Sequence, residues 1–343
     1  MAKNFNFDEY KKMAEPGKRE KARNWGIAIG LQMVDGLKPS KYLYEVARDN
    51  IEGKITQKQV YERLESHYKT PEGQAESNDE KEANAVSSKI TELLNDKSFI
   101  FAPTILCAIH DFLFKNIHPE IAGKVRKLNI TKDEQILLGD TVKYGTAGMI
   151  MDALKYDFDN EKQFDYSGLD KRQTSEHIAK FISGIWQIHP FMEGNTRTIA
   201  VFAIKYLRTM GFDDVGNELF EKHAKYFRNA LVRANYQNLA NGVHYTPEYL
   251  NKFFDNLLIS ENNTFNNDEL VIAPGATSSQ KSSQKSSQKI IGAIAKNPDI
   301  TIQELADSLG LSAAGIKKNL NKLKADGLIR RVGPDKGGHW EVL

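Results

Sequence analysis

The stretch that most constrains this chain is 188–200, Ile-His-Pro-Phe-Met-Glu-Gly-Asn-Thr-Arg-Thr-Ile-Ala. Behind it, Ile199, Phe202, Ala203, Tyr206, Leu207 and Met210 recur at helical spacing, and Gly211 is a natural stop. Ahead of it, Ile178, Phe181, Ile182, Ile185 and Trp186 mark an amphipathic helix from about Asp170 to Ile188. The stretch is therefore predicted to be a helix–loop–helix with its polar residues in the loop and at the start of the second helix. That start is an anion site, because its N–H groups and the positive end of the helix dipole point the same way.

The residue types suit phosphate chemistry. His189 titrates near neutrality and can take a proton from an attacking hydroxyl. Glu193 is a hard ligand for Mg²⁺, which prefers one or two carboxylates with phosphate oxygens and water. Gly194 lets backbone approach a phosphate, Asn195 can donate to its oxygens, and Arg197 can grip them as a fork. Phe191 is the apolar member and is expected to anchor the loop in the core. Together they suggest transfer of part of a nucleotide to a hydroxyl.

The sequence His-Pro-Phe-x-Glu-Gly-Asn-x-Arg resembles the signature of Fic-domain proteins, H-x-F-x-(D/E)-G-N-G-R-x-x-R. The resemblance extends from about Lys89 to Phe254 and includes Ala122-Gly-Lys-Val-Arg126 and Phe164-Asp-Tyr-Ser-Gly-Leu169. It implies a mainly α-helical core with a short β-hairpin flap, and Mg²⁺-dependent transfer of AMP from ATP to Ser, Thr or Tyr hydroxyls of a target protein and of the chain itself. On it, His189 is the base, Glu193 the metal ligand, Arg197 a β-phosphate contact, and Gly194, Asn195 and Thr196 the anion hole. Two positions depart: Thr196 replaces the second glycine, and Ala200 replaces the second arginine, which in the family orients the γ-phosphate. The second change leaves open another donor, such as UTP or GTP, or a nucleotide-sensing core that turns over little.

Around this core, 343 residues imply two or three domains. A net charge of +2 excludes strong bulk attraction to nucleic acid or acidic membranes. The single cysteine, Cys107, excludes an internal disulfide framework, and its apolar helix makes it a buried, inert residue. Without a signal-peptide pattern or a long apolar run, the expected location is cytoplasmic, with no membrane partner; a homodimer is left open.

Residues 1–69 read as a helical region, with Gly53 ending one helix and Thr56-x-x-Gln59 capping the next. Its Val46–Thr56 stretch resembles the inhibitory helix of Fic antitoxins, (S/T)-x-x-x-E-(G/N), with Arg48 at the Ser/Thr position. The resemblance implies that Glu52 obstructs ATP; otherwise it is an ordinary helix-end residue. Residues 70–86 are polar and aperiodic, predicting a linker or exposed loop before a Fic domain at 87–258. Thr131-x-x-Glu134 reads as a capping box, whereas 136–146 equally reads as two strands about Gly139-Asp140; the resemblance favours the hairpin, which would hold a target segment as an added strand. Helical spacing at 217–236 leaves Tyr226, Asn229 and Tyr236 as candidates to meet a nucleotide base.

Residues 259–289 contain Ser-Ser-Gln-Lys three times in tandem and predict a flexible tether. Residues 290–343 predict three short helices and a two-stranded wing, resembling a winged helix–turn–helix. That resemblance implies DNA, with Ser312, Ala313, Lys317 and Lys318 on bases and phosphates and Arg330, Arg331 and Lys336 in the wing. A protein-interaction module is the alternative.

Overall fold

The computed structural model describes residues 6–212, 218–272, 290–295, 297–309, 313–325, 328–333 and 338–342. They divide into two compact units, 1–237 with 245–271 and 238–244 with 272–343. The tandem Ser-Ser-Gln-Lys tract, Ser312 and Lys336 lie outside the described residues, as do the side chains of Ala313 and Lys318.

The first unit is helical. Helices α1 (Asp8–Lys11), α2 (Pro16–Gly30), α3 (Lys41–Ile51) and α4 (Gln57–His67) form its N-terminal part. Pro16 is at the first position of α2, where a missing N–H costs nothing. Gly53, at φ +78, turns the chain out of α3, and Thr56 and Gln59 form the expected reciprocal cap on α4. This region is not a separate domain: α2 packs on α6 and α11 within the same unit.

The expected linker at 70–86 is instead structured. Thr70 caps α5 (Pro71–Ala75), and Ser77 and Glu80 form a capping box on α6 (Asn78–Asn95). The aperiodic look came from the exposed first turns; in α6 burial begins at Ala83. Next come α7 (Thr104–Phe114), α8 (Ile150–Gln163), α9 (Lys171–Ile188), α10 (Asn195–Thr209), α11 (Glu218–Asn235) and α12 (Glu248–Leu258). Helix α10 is central: every residue from Asn195 to Leu207 is buried, with Phe202 and Tyr206 in an aromatic cluster with Phe99, Phe101, Phe158 and Phe181. Cys107 is half-buried, and burial raises its thiol pKa, so it stays protonated.

The segment expected to form two strands does not. Residues Gln135–Leu137 are a 3₁₀ turn, and Leu138 (φ +51) and Gly139 (φ +94) reverse the chain. The Glu134 N–H to Asp140 carbonyl bond, 3.0 Å, and the Lys132 N–H to Thr141 Oγ1 bond, 3.0 Å, cross the loop without forming a strand ladder. Ile136, Leu137 and Val142 are buried, so the apolar run anchors a loop rather than building a ladder. Thr131 opens no helix either.

In the second unit, helices α13 (290–295), α14 (Ile302–Leu309) and α15 (Ala313–Ala325) precede strands β1 (Ile329–Val332) and β2 (His339–Val342). The strands pair antiparallel, Ile329 with Val342 through Val332 with His339, as the wing reading expects. Ile290, Ile294, Leu305, Ile316, Leu320, Leu323, Ile329 and Trp340 form its core. Lys317 is exposed; Arg331 lies over the Trp340 ring at 4.9 Å, and Arg330 pairs with Glu341 across the strands. Among the described residues, no helix is long and apolar enough to cross a membrane.

Candidate active site

Helix α9 ends in the motif because His189 takes a left-handed conformation, φ +52, which turns the chain out of the helix. The turn is strained for a histidine and is held from outside by Arg126. Its Nε donates to the His189 carbonyl at 2.7 Å, Nη1 to Leu128 at 2.7 Å, and Nη2 to the carbonyls of Ile188 and Gly145; its own N–H donates to Pro190 at 2.9 Å. One buried guanidinium thus ties the motif turn to the loop ahead of α8.

The His189 ring is buried. Its Nδ1 lies 3.2 Å from the Trp186 carbonyl, which identifies Nδ1 as the protonated nitrogen, and Nε2 has no hydrogen-bond partner. Burial first, then the positive charge of Lys132, holds the imidazole well below its ordinary pKa. His189 is therefore neutral at physiological pH, with the lone pair of Nε2 available as a base. Tyr144 packs on the ring, centroids 4.1 Å apart. Its hydroxyl donates to Glu134 at 2.8 Å, and Glu134 pairs with Arg228 at 2.7 Å.

The rest of the loop is built from inside. Phe191 is fully buried and stacks on His110 with centroids 3.9 Å apart. His110 Nδ1 accepts from the Gly123 N–H at 2.9 Å, so its Nε2 donates to the Glu193 carbonyl, 3.0 Å away. Burial pushes the His110 pKa down to about 4, consistent with this neutral tautomer. His110 is thus a strut for the motif loop. Gly194 has φ +72, and a Cβ there would lie 2.4 Å from the Phe114 ring. Only glycine meets both conditions.

The side chains of Asn195 and Thr196 are held inside the protein. The Asn195 amide accepts from the Phe191 N–H at 2.9 Å and donates to the Phe191 carbonyl at 2.8 Å, closing the loop on itself. Thr196 Oγ1 accepts from Trp186 Nε1 at 3.0 Å. Both side chains are committed inward, so what they present to an anion is backbone. The first bond of the α10 ladder joins the Thr198 N–H to the Gly194 carbonyl at 3.0 Å, leaving the N–H groups of 195–197 outside the ladder.

Arg197 is 4% exposed, lies over the Phe114 ring at 4.9 Å, and meets three groups from the N-terminal half of the chain. Nη1 donates to Gln32 Oε1 at 3.2 Å, Nη2 to Glu82 Oε1 at 2.8 Å, and Nε lies 2.8 Å from Asp35 Oδ2 as an ion pair. The structure does not bring Glu52 to the motif. Glu52 caps α3, accepts from the Tyr10 hydroxyl at 2.5 Å and pairs with Lys54, both of which lower its pKa. The acidic residue on Arg197 comes instead from α6, in the stretch whose polarity reads as linker. Its partner site, Ala200, is fully buried in α10.

Arg197, Glu193, Glu82 and Asp35 line a cavity of about 490 Å³ that also includes Lys225, Arg228 and Asn229. Asn229 lies at this cavity as expected, its amide donating to Asn267 at 2.7 Å. Tyr236 does not line it; its buried hydroxyl donates to Asp140 at 2.6 Å, bracing the loop at 134–140. Tyr226 is buried too, stacked on Phe265. Aromatic spacing here reported core packing. Glu193 is exposed and pairs with Lys132 at 2.8 Å. Among the described residues, no group of three or more His, Cys, Asp or Glu forms a metal cluster. The exposed Glu193 carboxylate at this cavity still fits Mg²⁺ that arrives on a nucleotide, because phosphate oxygens and water would supply the other ligands.

Comparison with known proteins agrees with this geometry. Residues 100–207 match the Fic/DOC family, and residues 284–330 match the winged helix–turn–helix DNA-binding family. No curated protein matches the chain. Among solved structures, a Fic family protein from Desulfovibrio desulfuricans G20 is similar at 14% identity, over 98% of this chain and 92% of that one, with a TM-score of 0.42. The chain thus carries a Fic/DOC family domain, followed by a winged helix–turn–helix DNA-binding domain.

Proposed function

We propose that the Fic domain transfers AMP from ATP to a protein hydroxyl, and that the chain restrains this activity through the acidic contacts on Arg197. The observation that carries the proposal is His189: a neutral, buried imidazole with a free Nε2, on the same short loop as Glu193 and the start of α10. The target hydroxyl gives its proton to Nε2 as its oxygen bonds to the α-phosphorus, and the bond from that phosphorus to pyrophosphate breaks. Arg197 and the N–H groups at 195–197 hold the negative charge gathering on the leaving group. Glu193 would hold Mg²⁺, which supplies further charge neutralisation there. The loop that packs Tyr144 on His189 must open for a hydroxyl to reach Nε2.

Restraint follows from competition. A β-phosphate seeking Arg197 meets a guanidinium already engaged by Gln32, Glu82 and Asp35. With Ala200 in place of a second arginine, there is no other motif cation for the phosphates. Ala200 and the winged helix also favour a second reading, a DNA-binding regulator whose core senses nucleotide with little turnover.

Incubation of the full chain with Mg²⁺ and ATP, read by intact mass, separates the two. The transferase reading expects an AMP adduct that disappears in His189→Ala, a loss of at least about 10²-fold. If no nucleotide gives an adduct while His189→Ala leaves DNA binding intact, the regulator reading replaces it.

A further inference from the structure

A second, larger cavity of about 730 Å³ lies between α8 and α9, outside the set of groups just described. One wall carries Asp157 of α8. Its carboxyl is half-buried and takes no part in any hydrogen bond or ion pair among the described residues, although it has lost enough water for its pKa to rise. Facing it is Gly184 in the middle of α9, where a Cβ would lie 3.2 Å from Asp157 Oδ2. A glycine inside a helix costs about 1 kcal/mol relative to alanine, and here it leaves the room in which the carboxylate sits. The other charges on the walls are Glu161, Glu176 and Lys180. Glu161 is consumed by His177, Tyr166 and Tyr206, and Lys180 is exposed and lies beyond ion-pair distance of Asp157.

The cavity also leads to the chemistry. Gln187 lines both it and a smaller neighbouring cavity of about 270 Å³ that includes Lys143. Gln187, two residues before His189, donates through its amide to the Lys143 carbonyl at 3.2 Å and accepts with its own carbonyl from the Gly145 N–H at 3.1 Å. The cleft therefore reaches Lys143, next to Tyr144, whose ring packs on His189. From Gly184 to His189 the helix rises about 7.5 Å, which an extended chain covers in two to three residues.

We infer that this cleft receives the target segment flanking the acceptor hydroxyl, and that Asp157 selects a lysine or arginine about two to four residues from it. A cation is the occupant that an unpaired, partly desolvated carboxylate lacks. The cleft's continuity with the loop beside His189 makes that occupant part of the target rather than an independent ligand. The inference rests on the transferase reading above.

The test uses the full chain carrying Glu82→Gln, Mg²⁺-ATP, and peptides with one Ser, Thr or Tyr in a neutral background. Lys, Gln or Glu is placed in turn at each flanking position. The expected result is a preference for Lys over Glu of about tenfold in kcat/KM at one or two nearby positions. Asp157→Asn should abolish it and Asp157→Lys reverse it, while peptides without a flanking charge are labelled alike by all variants. A preference that survives Asp157→Asn, no preference at all, or self-labelling without labelling of any peptide would each overturn the cleft's role and spare the transferase reading. If neither peptides nor the chain itself are labelled, the transferase reading fails and this inference fails with it.

Discussion

Replacing Glu82 by glutamine should raise transfer about tenfold, and the structure gives the size of the effect. Arg197 is buried, and Nη2 donates to Glu82 at 2.8 Å, a distance typical of a charge-assisted hydrogen bond. Such bonds contribute about 1.5–3 kcal/mol, against about 0.5–1.5 for a neutral one. Glutamine keeps the shape and an acceptor oxygen but loses the charge, so the competitor of the β-phosphate weakens by about 1.4 kcal/mol, a factor of ten in kcat/KM for ATP. Asp35 still neutralises Arg197 at 2.8 Å, so the buried cation is not abandoned and the fold should hold. Adding Asp35→Asn should raise the rate again, though not additively, since both carboxylates share one guanidinium. The assay is the initial rate of AMP adduct formation at low ATP, by intact mass. Glu52→Gly, whose side chain is tied to Tyr10 and Lys54, serves as the control and should change nothing. A rate raised by Glu52→Gly and unchanged by Glu82→Gln would refute the reasoning.

Two further outcomes follow from the loop's supports. Gly194→Ala forces a side chain into a left-handed backbone and against the Phe114 ring, so it should destabilise the chain by about 3 kcal/mol or more, read as a lower Tm, and remove transfer. His110, with a folded pKa of about 4 against 6.5 unfolded, makes stability fall as pH falls. Above pH 6.5 it is neutral in both states; below, only the unfolded chain takes the proton. The loss reaches about 3 kcal/mol near pH 4. Urea unfolding of the wild type and His110→Asn across that range should show a shallower pH slope in the variant; identical slopes would remove His110 from the account.

What could be read from the chain directly was whatever rests on local spacing and local chemistry. Apolar periodicity located α9, α10 and α11 to within a residue or two, and capping chemistry at Thr56 located the start of α4. The motif residues are contiguous, so His189, Gly194 and Arg197 could be singled out before any fold was known. The second capping box, Ser77-x-x-Glu80, was equally present in the sequence, but its polar surroundings masked it.

What failed in the sequence reading failed for one reason: a side chain's partner, unlike its helix, is not encoded by its neighbours. Ile136 to Tyr144 has the composition of two strands, yet Ile136, Leu137 and Val142 pack into the helical core, and no ladder closes. Asn195 looks like a phosphate donor, but folding turns its side chain toward Phe191. Glu52 carries the family-like pattern and ends in a surface network, whereas Glu82, 115 positions from Arg197 in sequence, reaches it. The motif from His189 to Arg197 and the start of α10 are thus legible in the sequence. The carboxylates that hold Arg197, and the histidine and arginine that hold the loop, were decided only when α6, α7, the turn Leu31–Asp35 and the loop after α7 packed around α10, because long-range contacts leave no periodic trace in the chain.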